Sequence, residues 1–170
     1  TSYNLLTKYR TILNEKSMLE ISEHLMNSDK SLPGQDIVQD SGAKINTFRN
    51  LFLIKYTNSS LFNEFVEIEP QLQNIFKREH YEDPEGSIGW GNQDNIYKTY
   101  TTVLKTPISF DKQRNFYLKV TPAFEREIFR PDNKLQTAEP LSCDREHISL
   151  IVDAGANFLK NKIFIKSNVS

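Results

Sequence analysis

Cysteine, tryptophan and histidine are scarce in these 170 residues, with one, one and three of them, and each shortage removes a class of chemistry. A lone Cys143 can form neither an internal disulfide nor a cysteine zinc centre, and it suits a reducing compartment. His24, His80 and His147 stand far apart without ligand spacing, so no metal is expected. No apolar run approaches the length of a membrane-spanning helix, and the first residues lack a signal-peptide core. The expectation is an intracellular protein with no membrane partner. An excess of one charge is also missing: 21 basic residues against 22 acidic ones give a net charge of −1 and a pI near 6.3. No global field draws the chain to a polyanion. The charge is uneven, however, since residues 61–86 carry seven acids and two bases while 95–170 carry twelve bases and eight acids.

Catalytic signatures are missing too. There is no P-loop, nucleophile elbow, EF-hand or zincin motif. Asp132 with Lys134, and Asp153 with Lys160 and Lys162, lack the order that a restriction-type nuclease needs. Cys143 and His147 have no orienting third group. The chain is expected to be no enzyme and to hold no cofactor.

Against these absences stand 38% hydrophobic and 25% charged residues, enough for a buried core. Leu5, Leu6, Tyr9, Ile12 and Leu13 recur at three- and four-residue spacing, which predicts an amphipathic helix. Ser17 and Glu20 fit a capping box opening a second helix with Leu19, Ile21, Leu25 and Met26. From Gly34 to Tyr56 the pattern predicts two short helices joined at Ser41-Gly42. Ile37 and Val38 face inward on the first, and Phe48, Leu51 and Phe52 on the second. Met18 to Tyr56 thus resembles the helical part of a winged helix-turn-helix DNA-binding domain of transcription regulators. That resemblance implies a recognition helix in the major groove, presenting Lys44, Asn46, Thr47, Arg49 and Asn50 to bases and phosphates. A further helix is expected from Leu61 to about His80, broken near Pro70.

Residues 82–94 shift to glycine, proline and asparagine and predict a connection between a helical unit, 1–81, and a β-rich unit, 95–170. Gly86 to Asn92 resembles a glycine-rich segment in the base-recognition domain of McrB-type restriction enzymes, although Tyr97-Lys98 replaces the Pro-Trp pair expected after it. Beyond Asn95 the period becomes two. Tyr97, Thr99, Thr101 and Val103 fall on one face of a strand, and Arg114 to Val120, Ile148 to Val152 and Ile163 to Lys166 predict further strands. Trp90, Tyr97, Lys98, Tyr100 and Lys105 offer a second nucleic-acid contact surface.

The sequence reading is therefore an α+β protein with an N-terminal helix-turn-helix part and a mainly antiparallel C-terminal part. It is expected to bind duplex DNA as a regulator, as a homodimer or within a larger assembly. The alternatives are a protein-interaction module and the DNA-specificity domain of a restriction system.

Overall fold

Strand-forming residues dominate where helices are expected. Lys44 to Leu61 reads KINTFRNLFLIKYTNSSL, rich in the β-branched and aromatic side chains that pack well on a pleated surface. The structure, a computed structural model, describes residues 1–32, 42–62, 65–86, 88, 91–110, 116–136, 141–158 and 163–169. Its elements are β1 (Ser2–Asn14), β2 (Ser17–Ser31), β3 (Lys44–Leu61), β4 (Val66–Ile68), β5 (Gln71–Asp83), β6 (Gln93–Lys105), β7 (Ile108–Phe110), β8 (Phe116–Asn133), β9 (Cys143–Phe158) and β10 (Ile163–Val169). No helix occurs among the described residues.

All ten strands lie in one antiparallel sheet. β4 with β5, and β6 with β7, are single strands interrupted at Glu69-Pro70 and Thr106-Pro107. Proline has no N–H to give the ladder, yet the rungs cross these points through carbonyls. Tyr56 N–H donates to Pro70 O at 3.0 Å, Glu69 N–H to Pro107 O at 2.9 Å and Thr106 N–H to Pro122 O at 3.1 Å. Counting each interrupted pair once, the chain makes eight staves in an up-and-down order.

The α+β expectation and the winged-helix resemblance are thus overturned for residues 1–81, and nothing supports the McrB-like reading of Gly86 to Asn92. The residues themselves show why. Leu5 and Tyr9 occupy one face of β1 while Leu6 and Ile12 occupy the other, so a strand with apolar groups on both sides imitates helical spacing. Ser17 opens β2 instead of a helix, and Glu20 reaches sideways to Lys8 and Arg10 on β1. Gly42 has the positive φ of a turn, +68°, but leads into β3. Pro70 interrupts a strand. Ile37, Val38 and Ser41 lie outside the described residues.

The sheet has almost no interior. Ala43, Val66, Ile96 and Pro107 are its only buried apolar side chains among the described residues. The accessible surface is 12171 Å², where a globular protein of this mass exposes about 8,600 Å². One layer is present, with both faces open.

Its two ends differ. One end carries the short connections 15–16, 62–65, 111–115 and 159–162, and the other the longer ones 32–43, 84–92 and 134–142. The second of these longer segments is anchored by Asp83, which is fully buried. Its carboxylate accepts the Ile88 N–H at 2.9 Å and the Tyr81 hydroxyl at 3.3 Å. Burial, and then the Asp83 charge, push the Tyr81 hydroxyl above its ordinary pKa, so it stays a donor.

Gly86 has φ +63°, and a Cβ there would lie 2.9 to 3.0 Å from the Gly91 backbone. Gly86→Ala is expected to lower stability by about 1 kcal/mol or more in denaturant unfolding. Gly91→Ala, which has a similar φ but open space around it, should cost less. Equal losses would show that the close approach has no energetic weight.

Candidate functional site

The residues expected to read DNA are divided by the pleat. Lys44, Asn46 and Asn50 fall on one face of β3, and Thr47 and Arg49 on the other, because successive strand residues alternate. Two of them are occupied locally. Asn50 Nδ2 donates to Glu23 Oε1 at 3.0 Å, and Asn46 Nδ2 donates to Asn27 Oδ1 at 3.3 Å and to Asp29. The second set divides likewise, with Tyr97 and Lys105 on one face of β6 and Lys98 and Tyr100 on the other. Tyr97 stacks on Phe129, with ring centres 6.0 Å apart. Trp90 lies outside the described residues. No single surface gathers either set.

What the register does gather is a band of apolar side chains. Tyr9, Ile21, Ile54, Leu72, Leu104, Phe124 and Ile148 are laterally paired in one unbroken row across seven staves. Below it on the same face lie a row of Ile68, Ile108, Val120 and Val152 and another of Val66, Phe110, Leu118 and Ala154. No described residue covers the band: Tyr9 is 59% exposed, Leu104 47% and Ile148 81%.

The band runs obliquely. From end to end its upper limit drops from Tyr3 on β1 to Ile148 on β9, which sits in the row of Tyr9, six residues over six inter-strand steps; the drop is uneven, since Phe76, Tyr100 and Ile128 share one row across β5, β6 and β8 and most of the fall comes at β9. At about 3.3 Å per residue and 4.8 Å per strand, that slope is about 35° to the perpendicular of the strands. Aromatic residues border both limits. Tyr3, Phe48, Phe76 and Tyr100 stand toward the long connections, with Phe48–Phe76 at 6.0 Å and Phe76–Tyr100 at 5.0 Å. Tyr56, Phe62, Phe65 and Phe110 stand toward the short ones, with Phe65–Phe110 at 6.2 Å. Phe62 is 79% exposed and holds a φ of +48°, an unfavourable conformation for a side chain with no local packing to offset it.

Polar groups inside the band pair with each other. Asn50 holds Glu23, and Thr102 Oγ1 donates to Asn74 Oδ1 at 2.9 Å. Arg126, which separates Ile128 from Phe124, is held by Asp144 at 2.6 Å and faces Glu146 at 3.7 Å.

The opposite face is polar in a different way. Charges occur along it in paired sets: Glu20 with both Lys8 at 2.9 Å and Arg10 at 2.8 Å, Lys55 with Glu69, Lys77 with Glu79 at 2.8 Å and Arg145 with Glu127 at 3.3 Å. Gln71, Gln73, Thr99 and Thr101 lie among them, around a smaller apolar centre of Leu51, Leu53, Ile75 and Val103. Among the described residues no cluster of His, Cys, Asp and Glu could hold a metal. No described helix is long and apolar enough to cross a membrane, which says nothing of strands.

Cross-strand rows escaped sequence reasoning because each takes single residues from four to seven distant segments. The period-two alternation within each strand was the signal that could have found them. Glu20 is the hub of the polar face, and Glu20→Ala, which leaves Lys8 and Arg10 together without a counter-charge, should cost about 1 kcal/mol in denaturant unfolding. Glu20→Gln should recover part of this, and no difference from the native chain would show that the pairs contribute nothing. No protein-family model matches the chain, and no curated protein shows significant similarity to it.

Proposed function

We propose that the sheet is wall of a transmembrane antiparallel β-barrel, with the Tyr9 face turned to lipid and the Glu20 face turned to the lumen. The oblique apolar band carries this reading. Strands in such barrels tilt by about 35–45° from the membrane normal, so a belt level with the membrane crosses the staves at that same angle. The band's slope of about 35° agrees with this. Four further features support it: aromatic side chains at both limits, an opposite face rich in cross-strand ion pairs, short connections at one end with long ones at the other, and the missing core.

Backbone chemistry supplies a second argument. β1 and β10 each leave one side unpaired among the described residues, and hydrocarbon offers no partner for those N–H and C=O groups. Closure satisfies them, whether the two edges meet each other or further strands complete the ring. Eight staves alone enclose a lumen filled by side chains, while more enclose a passage. The role is then to span the membrane and hold the long connections on one side of it.

A protein-interaction module remains the second reading, favoured by Glu23. A carboxylate facing lipid in mid-band is costly, whereas a protein layer over the Tyr9 face could offer it donors beyond Asn50. Duplex-DNA binding has lost the helix on which it rested.

Single cysteines introduced into a Cys143→Ser background distinguish the two. Fluorophores at Ile54, Leu104 and Ile148 should be quenched by lipid-borne quenchers in reconstituted vesicles, and those at Leu53, Val103 and Ser149 should not. Loss of that alternation, or a protein that stays in the aqueous phase, would overturn the barrel.

A further inference from the structure

Three cations stand side by side at the upper limit of the apolar band. Arg78 pairs laterally with Lys98, and Lys98 with Arg130, on three neighbouring staves and on the lipid-facing side. None of the three forms an ion pair among the described residues. Arg78 Nε is shielded from solvent without a hydrogen-bond partner, and the Arg130 guanidinium lies 5.9 Å from the centre of the Tyr100 ring. Of the acids nearest on this face, Asp132 is paired with Lys134 and Asp144 with Arg126 at 2.6 Å, while Asp94 and Glu82, beyond the His80 row, lie 2.8 and 3.2 Å from the same His80 Nε2.

Like charges directly opposite one another on a sheet repel, so this row destabilises the bare protein unless an anion bridges it. One side of the row is apolar, since Phe76, Tyr100 and Ile128 form the next row down. An anion that fits here carries its charge at the height of the cations and hydrocarbon below them.

We propose that Arg78, Lys98 and Arg130 bind the phosphate of an anionic membrane lipid whose acyl chains lie along the band beneath. Two guanidinium forks and one ammonium supply the donors that phosphate oxygens accept, and arginine holds them bidentately. Cations beside a membrane surface attract anionic headgroups additively. The inference rests on the barrel reading, because only there does the row sit at headgroup height.

The test uses the whole chain reconstituted in phosphatidylcholine bilayers with and without phosphatidic acid, with bound lipid counted by native mass spectrometry after extraction. Phosphatidic acid should be retained in preference to phosphatidylcholine, and Arg78→Gln/Lys98→Gln/Arg130→Gln should reduce that retention by at least about tenfold. Should the triple variant not fold, Lys98→Gln alone should weaken retention and Lys98→Arg restore it. Arg145→Gln, a cation of the opposite face, should leave it unchanged. Equal retention by the native chain and the cation variants, with both seated in phosphatidylcholine, overturns the lipid site and leaves the barrel standing. Displacement of the lipid by inorganic phosphate would show an anion site without lipid preference, which also overturns the proposal. A chain that enters neither bilayer removes the barrel and this site together.

Discussion

Everything in this molecule depends on an uninterrupted backbone ladder with a fixed register. The pairing carries Tyr9 to Ile148 through seven staves without a slip, and its irregularities, at Ile12/Asn14 and Asn58/Leu61, lie beside the short connections. A shift of one residue at any rung would send every later side chain to the wrong face. With few side chains buried, no packed core exists to correct such an error. Lateral pairs do that work: aromatic contacts and ion pairs on both faces, amide hydrogen bonds on one, each contributing a few tenths to about 1 kcal/mol.

The prolines show how far the ladder tolerates damage. Pro70, Pro107 and Pro122 sit on interior staves, where a missing N–H usually excludes proline. All three lie near one level of the sheet, and each still accepts through its carbonyl. The rungs there are halved but not lost, which makes this level the natural place for an extended wall to curve.

Part of this was legible in the chain. β6 displays its alternation openly, with Tyr97, Thr99, Thr101 and Val103 against Lys98, Tyr100, Thr102 and Leu104. β1 and β3 hide theirs. Leu5-Leu6 places apolar groups on both faces, and Leu51 to Ile54 forms a continuous apolar run, so a local window finds helical spacing as readily as extended chain. Gly42 and Pro70 mark breaks in the pattern, but a break does not declare what it interrupts: a turn between helices and a kinked helix are expected there, and strands are found. The membrane question was put only to helices, since a strand crosses with about ten alternating residues and never makes a long apolar run. The oblique band could not be read from one strand at all, because each stave contributes only a few of its residues.

The unlike ends of the sheet impose a direction on assembly. Three long connections, 32–43, 84–92 and 134–142, bear Asp36, Glu85 and Glu139 among other polar groups and all belong to one end of the sheet. The tight reversals at the other end have far less to move. In a barrel the cost of crossing therefore depends on which end leads, being greater for the end that carries the long polar connections than for the end of tight reversals.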